Sequence, residues 1–210
     1  MLNDLHGVVF DLDGTLYASA PLGREINLAA SRYISELKGM DLVGAAALIR
    51  ATKKMLSAVS GFDTPLSLAC VELGGDLREL HRRFAAEIEP ERHLKRDERV
   101  VELLRVLRES FDLYIYTNNN RTLTERIMGA IGVRGLFDRV FTIEDYWRPK
   151  PDRQTLDAIL KEIGRRPTEC LFVGDRYDID LRLPASLGCA VFLAKSAEEL
   201  LNLIKFTSEE

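Results

Sequence analysis

One strand-like segment, Gly7-Val8-Val9-Phe10, stands alone at the head of the chain, and the next comes only at Leu113-Tyr114-Ile115-Tyr116. From about Ala18 to Pro90 there is no convincing strand. That stretch reads as four or so helices, with breaks near Gly39, Gly61-Phe62-Asp63-Thr64-Pro65 and Gly74-Gly75-Asp76, since glycine and proline punctuate helical patterns. Beyond it the pattern changes. Two more apolar runs, Cys170-Leu171-Phe172-Val173 and Ala190-Val191-Phe192-Leu193, and a weaker one, Arg139-Val140-Phe141-Thr142, are brief and rich in branched or aromatic residues. Strands covered on both faces have this composition.

Helical patterns alternate with these runs. Val100, Leu103, Leu104 and Leu107 share one face, as do Leu156, Ile159, Leu160 and Ile163. A helix over about 122–131 is expected to open with a capping box between Thr122 and Glu125, and a last helix covers 197–204. Alternation of this kind predicts an α/β fold with a parallel sheet. The helical block then has to be an insertion after the first strand. The expected division is a core of residues 1–16 and 91–210, with an all-helical insertion of residues 17–90.

Composition narrows the function. The chain has 210 residues, 46% hydrophobic and 30% charged, with a net charge of −4. A chain of this length buries about 70% of its unfolded surface, and it builds no large basic face for nucleic acid. Cys70, Cys170 and Cys189 are scattered and odd in number, which argues against a disulfide framework or zinc site and for a reducing compartment. Met1-Leu2-Asn3-Asp4-Leu5-His6 has no basic start followed by a long apolar run, and no segment has the length of a membrane span. The expectation is a cytoplasmic protein acting on neither membrane nor nucleic acid; its oligomeric state is not encoded legibly.

In open α/β sheets, ligands bind beyond the carboxyl ends of the strands. There the sequence puts Asp11-Leu12-Asp13-Gly14-Thr15, Thr117-Asn118, Arg148-Pro149-Lys150-Pro151-Asp152 and Gly174-Asp175. Three carboxylates, a hydroxyl and a lysine converging on one edge suit phosphoryl transfer. A carboxylate can act as the nucleophile, with magnesium held by carboxylates and substrate phosphate. On this reading Asp11 and Asp175 hold the ion, while Thr117 and Lys150 stabilise charge on the phosphoryl oxygens. Asp13, two residues past Asp11, is suited to protonate the leaving alcohol and then deprotonate water. Pro149 and Pro151 stiffen the loop that carries Lys150.

In this order the segments Asp11-Leu12-Asp13-Gly14-Thr15-Leu16, Thr117-Asn118, Lys150 and Gly174-Asp175 through Asp180 resemble the four motifs of the haloacid dehalogenase superfamily. The resemblance spans residues 7–180. It implies a Rossmann-like core with Asp11 as nucleophile and Asp13 as acid/base. It also implies magnesium held by Asp11, Asp175 and the carbonyl of Asp13, with phosphate bound by Thr117 and Lys150; Asn118 is read as a structural residue or a neighbour of the phosphate through its backbone, and is counted with the phosphate-binding residues. The insertion matches the helical type 1 cap that closes over small soluble substrates, so a small phosphorylated metabolite is the implied partner. Arg176 departs from the serine frequent after Gly-Asp. Asp178 adds a second candidate for the carboxylate that supports the site from behind, although the spacing favours Asp180.

Hydrolysis of a phosphomonoester is the leading expectation. The alternatives are a phosphomutase, against which Thr15 argues weakly, and a non-catalytic protein that binds a phosphorylated metabolite. A dehalogenase is disfavoured by the aspartate at position 13. His6, His81 and His93, together with Tyr146 and Trp147, are read as surface or packing residues.

Overall fold

The computed structural model describes residues 4–208. Residues 1–3, used in the leader reading, and residues 209–210, at the far end of the expected core, lie outside the described residues. Five strands form one parallel sheet: β1 (Gly7–Phe10), β2 (Asp112–Tyr116), β3 (Arg139–Phe141), β4 (Cys170–Gly174) and β5 (Ala190–Leu193), in the order β3-β2-β1-β4-β5. The chain builds outward from β1 to β3, then returns to the other side of β1 for β4. The strand order therefore reverses beside β1, where an open α/β sheet forms its binding crevice.

Both faces of the sheet are covered, as the apolar runs require. Val8 and Phe10 join one buried cluster with Leu113, Ile115, Leu171 and Val173; Val9 points the other way, into a cluster with Tyr114, Phe172, Leu156 and Ile159. Side chains alternate between faces along a strand, so β1 feeds both cores. The weakest strand of the sequence reading, β3, is also the shortest, and it lies at the sheet edge.

Between β1 and β2 come α1 (Ala20–Lys38), α2 (Leu42–Ser60), α3 (Leu66–Glu72), α4 (Leu77–Glu87) and then α5 (Glu98–Arg108). The expected breaks are real: Asp41 and Asp76 cap the helices that follow Gly39 and Gly74-Gly75, while the helix after Gly61 starts behind Pro65 with no side-chain cap. Ser19 accepts from the Leu22 amide, Asp41 from Gly44 and Asp76 from Glu79, at 3.3, 2.9 and 2.8 Å. The four helices dock over the carboxyl edge of the sheet. Asn120 Nδ2 donates to the carbonyl of His81 at 3.0 Å, the Asp63 amide donates to Asp178 at 3.3 Å, and the Arg182 guanidinium lies 3.3 Å from the centre of the Phe62 ring.

The remaining helices are α6 (Arg121–Ile131), α7 (Ile143–Tyr146), α8 (Arg153–Glu162), α9 (Arg182–Ser186), α10 (Ala197–Leu201) and α11 (Leu203–Ser208). Two expectations need correction. Helix α6 is capped by Asn120, whose side chain accepts from the Leu123 amide at 2.8 Å, so Thr122 lies inside the first turn and forms no capping box. The single last helix is divided at Asn202 into α10 and α11. No helix among the described residues is long and apolar enough to cross a membrane. The three cysteines are free and buried.

Candidate active site

Asp11 leaves β1 with its amide still bonded to Val173 of β4 at 2.8 Å. The chain then turns tightly: the Leu16 amide donates to Leu12 at 3.1 Å and that of Gly14 to Tyr17 at 2.9 Å. Gly14 has φ +90°, and a Cβ there would collide with the Asp175 carboxylate. Only glycine meets both demands. Gly174 is fixed by a similar closeness, since its Cβ would stand 2.5 Å from that of Asp180. Asp180 lies in one turn of π-helix, Tyr177–Leu181, a form often found at functional sites.

The turn brings Asp11 to Lys150. The lysine is only 2% exposed, and its Nζ donates to Asp11 Oδ1 at 2.6 Å, Asp180 Oδ1 at 2.7 Å and the Tyr116 carbonyl at 2.9 Å. An ammonium has three donors, and all three are used. Asn118 Oδ1 accepts from the Lys150 amide at 2.7 Å and so holds the loop. Thr15 Oγ1 donates to the other oxygen of Asp11 at 3.1 Å.

Asp13 faces a second set of partners. The Tyr17 hydroxyl donates to Oδ1, and Asn119 Nδ2 donates to Oδ2 at 2.6 Å. Thr117 Oγ1 stands 3.5 Å from Oδ2 and accepts from the Asn119 amide at 3.2 Å. The expected residues Asp11, Asp13, Thr117, Asn118, Lys150, Asp175 and Asp180 therefore meet in one place. Asp180 touches Lys150, whereas Asp178 turns to the insertion. Tyr17 and Asn119 are additions that the sequence reading missed, and Arg176, noted there only as a departure from the motif, joins the site beside Asp175. Tyr17 had a signal in the tight turn four residues after Asp13; Asn119 was hidden in an asparagine run that reads as an ordinary turn. Of the histidines, His6 is exposed, His93 lies 2.8 Å from Glu25, and His81 is buried.

The cluster is short of positive charge. Among the described residues, the cations that act on Asp11, Asp13 and Asp175 are Lys150 and Arg176, and both also face Asp180. Burial, with the Asp180 charge behind it, pushes the Asp11 carboxyl up to about 7 despite Lys150 and Arg176. Burial likewise raises Asp13 and Asp175. Burial also opposes the Lys150 charge, but Asp11 and Asp180 more than offset it, so its pKa is raised.

A divalent cation fits this set. One oxygen each from Asp11, Asp175 and Asp180 lies within 4.8 Å of the others, and Asp175 Oδ1 is buried without a hydrogen-bond partner. Hard oxygen donors of this kind suit magnesium. The Asp13 carboxylate is outside that trio, and Asp180, which also holds Lys150, is in it.

Comparison with known proteins gives this geometry a family. A sequence model of haloacid dehalogenase-like hydrolases matches residues 5–188. The phosphoglycolate phosphatase of Salmonella typhimurium is 26% identical over 206 residues, covering 90% of this chain and 80% of that protein. Pyrophosphatase PpaX of Bacillus velezensis is 32% identical over 92 residues, covering 40% of this chain and 43% of that protein. Human haloacid dehalogenase-like hydrolase domain-containing protein 3 is 34% identical over 88 residues, covering 42% and 35%. The chain thus spans less than half the length of the last two relatives. Among solved structures, a HAD phosphatase from Thermococcus onnurineus aligns with a TM-score of 0.62 at 20% identity, over 98% of this chain and 99% of that one. The Bacillus subtilis HAD-hydrolase YfnB, solved with magnesium, aligns with a TM-score of 0.62 at 17% identity and the same coverage. These two share the Rossmann-like α/β fold, and with the family model matching most of its length, the chain belongs to the haloacid dehalogenase-like hydrolases.

Proposed function

We propose that this hydrolase is a magnesium-dependent phosphatase that acts on a small soluble phosphomonoester through an aspartyl-phosphate on Asp11. The observation that carries the reading is the buried contact of Lys150 with both Asp11 and Asp180 beside the Asp175 carboxylate. Relatives named phosphoglycolate phosphatase and pyrophosphatase support it, as does the magnesium bound to YfnB.

Asp11, Asp175 and the Asp13 carbonyl would hold the ion, which when bound screens the anionic phosphate from the anionic nucleophile. One Asp11 oxygen forms a bond to phosphorus as the bond to the leaving oxygen breaks. Asp13 gives that oxygen its proton. Burial favours the protonated form of Asp13 that this step needs, and Tyr17 and Asn119 fix its direction. In the second step water attacks phosphorus and passes a proton to Asp13, and the bond from phosphorus to Asp11 breaks. Thr117, Asn118 and Lys150 bind the phosphoryl oxygens on which charge accumulates, Lys150 by exchanging its contact with the Tyr116 carbonyl for one of them, and Asp180 steadies Lys150 from behind.

Residues 17–90 serve as a lid on the core of 1–16 and 91–210, excluding water while the acyl phosphate exists. Magnesium-bound YfnB reveals interdomain movement in that protein, which favours a lid that opens. Three free buried thiols suit a reducing, cytoplasmic setting. Phosphate release from a panel of monoesters, with magnesium or chelator, tests the reading. Asp11→Asn is expected to lower turnover by at least about 10⁴-fold, in line with the loss of other covalent nucleophiles. Activity retained in that variant would overturn the assignment.

A further inference from the structure

Between the insertion and the core lies a cavity of about 140 Å³, lined by Asp13, Asn118 and Arg176 on one side and by Leu66, His81 and Phe84 on the other. It adjoins the carboxylate proposed to protonate the leaving group, so a leaving group attached to phosphate at Asp11 would occupy it.

The polar lining is incomplete. His81 Nδ1 and Nε2, Asn118 Nδ2 and Arg176 Nε are buried without hydrogen-bond partners, and they are half of the eight side-chain atoms in that condition among the described residues. Buried donors are rarely left unpaired. The N–H groups of Asn118, Arg176 and one His81 nitrogen, all around one cavity, mark a missing acceptor, while the other His81 nitrogen keeps a lone pair. Arg176 lies 3.5 Å from Asp175 and 3.8 Å from Asp180, as ion pairs rather than hydrogen bonds. The Asp13 carboxylate is already engaged by Tyr17 and Asn119. Asn118 belongs to the phosphate on the reading above, which leaves His81 and Arg176 for the rest of the substrate.

His81 is also held in place. Its ring meets Phe84 edge-on at 5.5 Å and Trp147 at 6.3 Å, with the Arg78 guanidinium 4.7 Å from the Trp147 ring centre. Trp147 has φ 55°, a conformation that strains a bulky residue and often accompanies functional sites. Burial holds the His81 imidazole down at about 4; near neutral pH it is therefore an uncharged ring with one N–H and one lone pair, beside the permanent charge of Arg176.

We infer that His81 and Arg176 are specificity residues that select monoesters whose leaving group carries a carboxylate. The inference rests on the phosphatase reading for its orientation of substrate, and its test does not depend on turnover. In an Asp11→Asn background with magnesium, calorimetry compares the phosphate esters of glycolate and of ethanol. The glycolate ester is expected to bind at least about tenfold more tightly, as a hydrogen bond to a charged group allows. Adding His81→Leu or Arg176→Gln should each reduce that ratio by about tenfold, and His81→Gln, which retains an N–H, should restore part of it. Equal binding of the two esters, or a ratio unchanged by both His81→Leu and Arg176→Gln, would overturn the inference and leave the Asp11 assignment standing. If instead Asp11→Asn still turns over, the same ratio is read from kcat/KM.

Discussion

Lys150 and His81 are buried alike, at 2% and 3% exposure. Every ammonium donor of Lys150 has an acceptor within the chain, whereas neither ring nitrogen of His81 has a partner. The two stand on opposite sides of one cleft, Lys150 on the core and His81 on α4 of the insertion. Groups proposed for the reaction are preset by the fold, and groups proposed for recognition are left open for whatever enters. Preorganised charge is what phosphoryl transfer demands, and an unfinished polar wall is what discriminates between substrates.

The largest effect expected from this contrast is on the core side. Lys150→Met leaves Asp11 and Asp180 buried without their cation, and breaking a buried pair in this way costs about 3–5 kcal/mol. Urea denaturation in chelator should show it. A loss below about 1 kcal/mol would mean that the core side is no more preset than the seam.

A smaller effect concerns pH. The folded pKa of Asp11, about 7, is above the ordinary value of 3.8. The native state thus keeps a proton that the unfolded chain gives up. Stability from this group is whole below about pH 4 and is lost as pH rises through about 7. Asp11→Asn removes that loss. In chelator the variant should gain a few kcal/mol on the native protein between about pH 4 and about pH 8. Parallel stability curves over that range would break the account of a cluster short of positive charge. Magnesium should raise the native melting temperature most at the upper end, where the carboxylates repel one another.

The smallest effect lies at the seam itself. Asn120 caps α6 and also reaches the His81 carbonyl, so Asn120→Ala should cost about 1–2 kcal/mol. Thr122→Ala should stay within about 0.5 kcal/mol. Equal losses in thermal melts would restore Thr122 as the cap.

These residues also mark how far the sequence could be read. The helical breaks at Gly39 and Gly61, the five strands, and the convergence of Asp11, Lys150 and Asp175 follow from local chemistry and from the rule that strand ends gather ligands. The contact from Asn119 to Asp13 crosses 106 positions in the chain, and no periodicity encodes it. The Thr122 capping box failed for a different reason. The Thr-x-x-Glu pattern is present, but Asn120 two residues earlier takes the first-turn amide. His81 was read as a surface or packing residue, and its contacts with Phe84 and Trp147 make it packing, but its unpaired nitrogens depend on neighbours from another part of the chain.

Trp147 is the one tryptophan in the chain, half-buried between the His81 ring and the Arg78 guanidinium, both carried by α4. All of the indole emission therefore comes from the junction of insertion and core. If α4 moves as the proposed lid requires, the indole would lose a cation and an imidazole at once and meet water instead, and its colour and lifetime would shift together. Trp147 would then be a built-in optical gauge of the cleft, readable in stopped flow without a label or a change of sequence.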